Sequence, residues 1–265
     1  MNILEQIIEV KKQEVAASRK IVSLQELEKA PAFARQARSV VNIYNSKRTT
    51  GIIAEFKKAS PSKGIINDRT PIEEVVQAYA RHGVAAISVL TDQQFFKGSL
   101  NDLKRARMAV QGTPLLRKDF IIDEYQVAEA KVAGADLILL IAACLSPERV
   151  KELARYAKSA GLEVLLEIHN EQELVHLCDE VDLVGVNNRD LKTFQVDIEH
   201  SIRLASLIPP GKIRIAESGI HSVETVQHLS SSGFDGFLIG ELFMKQEDPG
   251  AAFKSFTEEL KRLPA

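Results

Sequence analysis

Several features that define whole classes of proteins are scarce or absent in this sequence. There are only two cysteines, Cys144 and Cys178, which cannot build a disulfide framework and predict reduced thiols. No stretch of about 18 uncharged apolar residues occurs, so no membrane-spanning helix is expected. The first residues, MNILEQIIEVKKQEV, carry Glu5 and Glu9 where a signal peptide needs an apolar core. We therefore expect a cytoplasmic protein without a membrane partner.

An excess of charge of one sign is also missing. The 265-residue chain has 34 basic and 36 acidic side chains, interspersed along its length, and a net charge of −2. Nucleic-acid-binding domains are usually strongly basic, so no nucleic-acid partner is expected. The motifs HExxH, CxxC and the P-loop are absent and the six histidines are scattered, so no metal site is predicted. No spacing of serine, histidine and aspartate indicates a hydrolytic triad.

The sequence does contain a regular alternation of two patterns. Short, apolar, β-branched runs recur along the chain with helical patterns between them. Near-continuous apolar runs are typical of parallel strands that are covered on both faces. Eight such units predict an α/β protein, a single (β/α)8 TIM barrel. The candidate strands are Gly51–Phe56, Ala85–Leu90, Leu115–Lys118, Asp136–Ile141, Glu163–Glu167, Leu183–Asn187, Ile213–Ala216 and Gly236–Ile239.

An open, doubly wound sheet is the alternative architecture. Such a sheet usually carries a glycine-rich dinucleotide-binding turn after its first strand, and none is present here. Residues 1–265 are therefore interpreted as one barrel domain. Within it, residues 1–50 are expected to form a helical extension that covers the bottom or the edge of the barrel. This extension begins with an amphipathic helix, for which Asn2 is the expected N-cap.

Capping residues mark the ends of the predicted helices. The helix at Pro71–His82 follows Thr70, which begins a Thr-Pro-Ile-Glu capping box, and it stops at Gly83. The other predicted helices are Leu100–Val110, Asp123–Ala133, Ser146–Ala160, Asn170–Cys178, Ile198–Leu207, Ser222–Ser231 and Pro249–Leu263.

Polar and charged residues stand where the predicted strands end. In a barrel of this type, the carboxyl ends of the strands build the active site. A compact cluster of charges at one mouth is costly to desolvate, so we interpret it as functional rather than structural. The cluster consists of Glu55, Lys57, Lys118, Glu167, Arg189 and Glu217, with Asn187 beside them.

The side chains at the end of the first strand are expected to point in alternate directions. Side chains alternate along a strand, so Glu55 and Lys57 point one way while Phe56 and Lys58 point the other. We predict that Glu55 and Lys57 face the mouth of the barrel and that Lys58 does not.

Glycines after the last two strands indicate a phosphate site. Ser218-Gly219 and Ile239-Gly240 follow the seventh and eighth strands, whose loops commonly bind phosphate in this fold. Residues Glu241–Lys245 are predicted to form the short extra helix that often assists. Two tight turns without a ligand are the simpler interpretation.

The loop after the first strand, residues 59–69, is long and polar. Its Ser60, Ser62 and Lys63 could contact an anion, and Gly64 could act as a hinge. Long loops of this kind are often lids, but a solvent-exposed loop without a role remains the alternative.

The segment IIAEFKKASPSKG (52–64) resembles the signature of indole-3-glycerol phosphate synthases through Glu55, Lys57, Ser60 and Pro61. Later segments are similar to further motifs of that family in the same order: LLRKDFIID (115–123), EVLLEIHN (163–170), GVNNRDL (185–191), IAESGI (215–220) and LIGELFMKQEDPG (238–250). The resemblance covers essentially the whole chain. The chain resembles the monofunctional synthases rather than those fused to the neighbouring isomerase. It implies a small-molecule substrate, 1-(2-carboxyphenylamino)-1-deoxyribulose 5-phosphate. The products would be indole-3-glycerol phosphate, carbon dioxide and water, and no cofactor would be needed.

The resemblance also implies roles for the residues at the strand ends. Lys118 would be the general acid at ring closure, with its pKa lowered by burial and by a nearby cation. Glu167 would take part in proton transfer, and Lys57 would pair with the carboxylate of the substrate. Whether Lys57 or Lys118 is the acid at dehydration stays open.

The remaining residues would hold the lysines and the substrate. Glu55 and Glu217 would orient the lysines and bind sugar hydroxyls, Asn187 would hold a hydroxyl or the carboxylate region, and Arg189 would anchor the cluster. Phe96 and Phe120 would flank the aromatic ring, with ordinary packing as the alternative. The phosphate would lie near Ser60, Ser218, Gly219, Ile239 and Gly240. We expect a monomer.

Two other functions compete with this one. A phosphoribosylanthranilate isomerase would have a cysteine base at the end of the first strand, where this chain has Glu-Phe-Lys. A non-catalytic sugar-phosphate-binding barrel would have lost a lysine or glutamate from a strand end, and all are present.

Overall fold

A computed structural model of the chain describes residues 3–46, 48–189 and 195–262. Eight parallel strands close into a barrel in which each strand pairs with its sequence neighbours and the first pairs with the last. We number them β1 (Ile52–Phe56), β2 (Ala86–Leu90), β3 (Leu115–Lys118), β4 (Leu137–Ile141), β5 (Glu163–Ile168), β6 (Leu183–Asn187), β7 (Ile213–Glu217) and β8 (Gly236–Ile239). The predicted (β/α)8 architecture is confirmed, and the strand boundaries agree to within one residue.

The interior of the barrel changes from apolar to polar along the strands. Ile53, Leu116 and Leu165 belong to the buried cluster that fills the barrel. Side chains two residues further along a strand point the same way, so Glu55, Lys118 and Glu167 continue these inward-facing rows. The periodicity of the strands therefore stacks the charged residues directly on the apolar core, at the carboxyl end of the barrel.

Helices surround the barrel and close its outer core against the strands. The helices are α1 (Ile3–Ile21), α2 (Leu24–Lys29), α3 (Val40–Ser46), α4 (Ile72–Arg81), α5 (Leu100–Ala109), α6 (Glu124–Ala133), α7 (Pro147–Ser159), α8 (Ile198–Ser206), α9 (Val223–Ser231), α10 (Glu241–Met244) and α11 (Pro249–Arg262). Short 3-10 helices lie at Pro31–Ala34, Ala142–Cys144 and Glu171–His176. No helix in the parts of the chain described above has the length and apolar character needed to cross a membrane.

Two local predictions are wrong. The capping box at Thr70 does not form, because the Thr70 hydroxyl bonds to Asn67 and α4 begins after Pro71 without a side-chain cap. The helix predicted at Asn170–Cys178 is a shorter 3-10 helix, so Cys178 lies in the loop beyond it. The expected cap at Asn2 lies outside the described residues.

The N-terminal extension reaches both ends of the barrel, not only the predicted bottom or edge. At the bottom, α3 follows Arg35, which pairs with Asp136 at 2.7 Å, and the Val40 amide donates to Glu163 at 2.7 Å. At the opposite end, Lys11 of α1 reaches residues that follow β2 and β3. The helix α1 therefore lies over the mouth of the barrel.

The loop after β1 is partly ordered by a small antiparallel hairpin. Residues Ala59–Ser60 pair with Gly64–Ile65, and the Ile66 amide donates to the Lys58 carbonyl at 2.8 Å. Gly64 has φ +67°, a conformation that favours glycine at the turn.

Candidate active site

A cavity of about 210 Å³ opens at the carboxyl end of the barrel. Its floor is formed by the inward-facing rows, where Leu139 and Leu238 lie beneath the charged residues. Most of the predicted site residues line it: Glu55, Lys57, Ser60, Phe96, Lys118, Phe120, Glu167, Asn187, Arg189, Glu217 and Ser218. Gly219, Ile239 and Gly240 are not among the lining residues.

Lys118 is held between two carboxylates. Its Nζ donates to Glu167 Oε2 at 2.9 Å and to Glu217 Oε2 at 2.8 Å, although the three residues come from β3, β5 and β7. The Lys118 side chain is only 15% exposed, so these ion pairs are shielded from bulk water. The cavity thus presents a fixed ammonium group to any ligand that enters it.

The predicted lowering of the Lys118 pKa is wrong. Burial alone would lower this pKa, but the negative charges of Glu167, Glu217 and Glu55 outweigh it, and the pKa is raised above its ordinary value. The expected cation neighbour is itself neutralised, since Lys57 pairs with Glu55 at 2.9 Å. Lys118 is therefore an ammonium ion at neutral pH, with a proton to donate.

The two carboxylates on Lys118 differ in their acidity. Burial tends to raise the pKa of both, but Lys118 and His169 bring that of Glu167 well below its usual range. Burial and the charge of Glu167 instead raise the pKa of Glu217 to about 7. Environments that separate the pKa values of neighbouring carboxyl groups are typical of sites that transfer protons.

Two glycines make room for glutamate side chains. A Cβ at Gly185 would lie 2.1 Å from Glu217 Oε1, and one at Gly240 would lie 2.7 Å from Glu55 Oε1. Glycine in the middle of β6 weakens a strand, so its presence there indicates a close approach. Gly240, which was predicted to lie near a phosphate, therefore has a packing role beside Glu55.

Asn187 joins β6 to the charged cluster. Its Nδ2 donates to Glu167 Oε1 at 3.1 Å, and its Oδ1 accepts from the Arg189 amide at 3.1 Å. In the barrel register, Asn187 lies beside Glu217. This side chain therefore orients Glu167 from the side opposite Lys118.

The β7 loop has an unusual backbone next to the cavity. Ser218 has φ +67° and Gly219 has φ +70°, so two consecutive residues are left-handed. The Ser218 carbonyl accepts from Asn188 Nδ2 at 2.7 Å, which holds this turn in place. Residues other than glycine adopt this left-handed conformation rarely, and those that do are found preferentially in functional loops.

Apolar side chains form one wall of the cavity. Phe96 and Phe120 face each other with ring centroids 6.2 Å apart, and both line the cavity. Ile3, Leu4 and Ile7 of α1 add to the lining. This wall suits a flat apolar group between the charged floor and the N-terminal helix.

Lys11 lies close to the mouth of the barrel although it was not predicted to do so. It is buried on α1, 2.8 Å from Asp92 Oδ2 and 3.1 Å from Asp119 Oδ1. The sequence pattern already indicates that Lys11 is buried. It lies on the apolar face of α1, four residues after Ile7 and four residues before Val15. These ion pairs attach α1 to the loops after β2 and β3.

Lys58 points away from the cavity, as predicted. Its Nζ donates to Asp102 Oδ2 of α5 at 2.7 Å and lies 5.9 Å from the centre of the Phe56 ring. We expect Lys58→Ala to retain wild-type kcat and KM while lowering the free energy of unfolding by about 1 kcal/mol, the scale of a partly exposed ion pair. Steady-state kinetics and urea denaturation would test this, and a large loss of kcat would place Lys58 in the site.

Comparison with known proteins gives a consistent result. The family model described as indole-3-glycerol phosphate synthase matches residues 4–256. The indole-3-glycerol phosphate synthase of Bacteroides thetaiotaomicron is 45% identical over 98% of this chain and 99% of its own length. That of Burkholderia vietnamiensis is 44% identical over 95% of this chain and 97% of its own.

Solved structures of lower identity share the fold alone. A mutant tryptophan synthase alpha-subunit from Pyrococcus furiosus superposes with a TM-score of 0.62 at 16% identity, covering 82% of this chain and 99% of that one. The 3-hexulose-6-phosphate synthase of Salmonella typhimurium has a TM-score of 0.59 at 15% identity, covering 80% of this chain and 99% of its own.

Proposed function

The chain belongs to the indole-3-glycerol phosphate synthase family, and from that membership we propose how the residues at the barrel mouth share the work of closing an indole ring. The activity is that of a carboxy-lyase in tryptophan biosynthesis. The substrate is 1-(2-carboxyphenylamino)-1-deoxyribulose 5-phosphate. Its conversion requires one carbon–carbon bond to form, carbon dioxide to leave and water to be eliminated.

Lys118 is the general acid of ring closure. The aromatic carbon that carries the carboxylate attacks the ribulose carbonyl carbon, and negative charge develops on the carbonyl oxygen. The ammonium between Glu167 and Glu217, 2.9 and 2.8 Å away, stabilises this charge and donates a proton to the oxygen. This clamped ammonium on the cavity floor is the observation that carries the proposal.

Decarboxylation follows ring closure. The bond to the carboxylate breaks, carbon dioxide leaves, and its electron pair restores the aromatic ring. Lys57 and Glu55 lie together at the mouth, 2.9 Å apart, and Lys57 binds the carboxylate before it is lost. Because Glu55 shares the charge of Lys57, the cation holds the carboxylate without binding it too tightly to leave.

Glu167 is the base of the dehydration step. It takes a proton from the new five-membered ring, while the ammonium group of Lys57 or Lys118 gives a proton to the hydroxyl group, which leaves as water. The pKa of Glu167 lies well below its usual range, so the side chain is a carboxylate at neutral pH. Asn187, 3.1 Å from Glu167 Oε1, keeps this carboxylate in position.

The remaining predicted residues bind the two ends of the substrate. Phe96 and Phe120 flank the aromatic ring, Glu55 and Glu217 bind sugar hydroxyls, and Arg189 anchors the cluster. The phosphate lies near Ser60, Ser218, Gly219, Ile239 and Gly240. The strained turn at Ser218 and the position of Ser60 in the cavity wall support this orientation. The monomeric state, the cytoplasmic location, the absence of nucleic-acid partners and the single-domain organisation stay predictions.

A direct assay tests the activity. The protein is incubated with the carboxyphenylamino substrate while indole-3-glycerol phosphate fluorescence and carbon dioxide release are followed together. We expect both products in equal amounts. If neither product forms, the proposed function is wrong. The competing isomerase function already lacks a suitable base, because Cys144 lies beyond β4 and burial raises the pKa of its thiol.

A further inference from the structure

His169 lies next to Glu167 but is not among the residues that line the cavity. It follows β5 by one residue and Glu167 by two, so the alternation of the strand points both side chains the same way. The His169 ring is only 10% exposed, and its Nε2 lies 3.1 Å from Glu167 Oε1. This distance is that of an ion pair, although the ring is not aligned for a hydrogen bond.

The other side of the His169 ring faces a second carboxylate. Nδ1 lies 3.3 Å from Glu173 Oε2, which also accepts from the His169 backbone amide at 2.7 Å. Glu173 Oε1 accepts from Asn170 Nδ2 at 3.1 Å, and the Asn170 side chain caps the 3-10 helix that carries Glu173. The imidazole ring of His169 thus lies between two glutamates. Hydrogen bonds of Asn170 and of the His169 amide to Glu173 hold this segment in place.

These surroundings favour a charged imidazole ring. Burial would lower the pKa of His169, but Glu167 and Glu173 outweigh it and raise the pKa to about 10. The other polar groups nearby are His200, whose Nε2 lies 3.1 Å from the His169 carbonyl, and the Cys144 thiol, whose pKa burial raises. The Cys144 thiol carries no positive charge in either protonation state, so it does not oppose an imidazolium ion.

His169 accounts for the difference between the two carboxylates on Lys118. Glu167 and Glu217 lie at nearly the same distance from the Lys118 ammonium, 2.9 and 2.8 Å. Only Glu167 has a second cationic partner among the contacts of the described residues. When Lys118 gives up its proton, Glu167 loses one of its two cations, and a second one is needed to keep it ionised.

We propose that His169 is a positioning residue that, as an imidazolium ion held by Glu173, keeps Glu167 a carboxylate while Lys118 contacts Glu167 from the cavity. The inference rests on the proposed function, in which Glu167 is the base of dehydration. His169 does not touch the substrate in this arrangement and acts through Glu167.

Two variants separate charge from shape. His169→Gln keeps a neutral donor near the position of Nε2, and His169→Asn keeps one near Nδ1. Loss of the cation raises the Glu167 pKa, so we expect the acidic limb of the kcat/KM profile to move to higher pH by about one unit in both variants. On the acidic side of that limb we expect kcat/KM to fall about tenfold, the change that corresponds to one pKa unit. A residue needed only for packing would lower kcat without moving the limb.

The charge on the ring is measured independently of turnover. Nitrogen NMR of the imidazole in the wild-type protein should show both ring nitrogens protonated at pH 8, and Glu173→Gln should lower the His169 pKa. His228→Asn is the matched control, because it removes a surface ion pair of His228 Nε2 with Glu199 at 2.8 Å. It should leave the pH profile unchanged.

Two results would overturn the inference: a neutral His169 ring at pH 8, or an acidic limb that stays in place in His169→Gln and His169→Asn. Failure of the proposed function has a different signature, namely normal turnover by Glu167→Gln. A severe loss in Glu167→Gln together with an unmoved limb in the His169 variants would overturn this inference alone.

Discussion

Replacing Lys118 by methionine is expected to lower kcat at least about 100-fold, roughly 3 kcal/mol of transition-state stabilisation. Methionine fills much of the same space but has neither a proton to donate nor a positive charge. Glu167 and Glu217 would then face each other without the ammonium that separates them at 2.9 and 2.8 Å. Steady-state kinetics with the carboxyphenylamino substrate would measure the effect.

A second variant at the same position separates acid catalysis from charge. Lys118→Arg keeps a cation between the glutamates, but its guanidinium does not release a proton at neutral pH. We expect it to fold normally and to remain at least about 100-fold slower than wild type in kcat. Near-normal turnover by Lys118→Met would contradict the role of Lys118, and recovery in Lys118→Arg would show that charge alone suffices.

Replacing Glu167 by glutamine should lower the rate of indole formation by about 100- to 10,000-fold, the range for loss of a general base. The substitution keeps the shape of the side chain and an oxygen that can accept from Asn187 Nδ2. It removes the charge that accepts the proton in dehydration. Carbon dioxide release, which precedes that step, should fall less than indole fluorescence, and a single-turnover experiment that follows both signals would show the lag.

A matched control for this variant lies on the same strand. Glu163 begins β5 at the opposite end of the barrel, where its carboxylate accepts from the Ser39 hydroxyl at 2.5 Å and the Val40 amide at 2.7 Å. Glu163→Gln should change stability but leave kcat close to wild type. Equal slowing of carbon dioxide release and indole formation in Glu167→Gln would move the role of Glu167 to ring closure.

The barrel and most of its mouth could be predicted from the sequence for a simple reason. The alternation of side chains along a strand is a local property. Once Ile53 is assigned to the inside of the barrel, Glu55, two residues later, is assigned to the inside as well. Eight strands of one direction then bring their ends together without any knowledge of distances. The interpretation of Lys58 as pointing outward followed from the same rule and agrees with its pairing with Asp102.

The electrostatics of the mouth could not be predicted in the same way. Sequence reasoning placed two lysines near each other and inferred a lowered pKa for Lys118. The pKa depends on which carboxylates lie within about 3 Å, and these come from β5 and β7, far away in the chain. His169 was overlooked although it follows Glu167 at the spacing that puts both on one side.

The position of α1 is also a matter of tertiary packing. Its apolar face indicated that it packs on the barrel, but not at which end. The buried Lys11 decides this, since its partners Asp92 and Asp119 follow strands at the mouth. A charge within an apolar stripe marks a helix that docks onto acidic loops.

Docking of α1 has a consequence for synthesis on the ribosome. The helix is made first, yet its Arg19 pairs with Asp123, 104 residues further along the chain. At translation rates of about 5–20 residues per second, roughly 5 to 20 s pass before that partner exists. During this interval the apolar side of α1, with Ile7 and Val15, has no barrel to cover. Helix α1, which contributes to the wall of the candidate active site, is therefore made before the surface on which it packs. It is the segment on which a chaperone could act before the enzyme is complete.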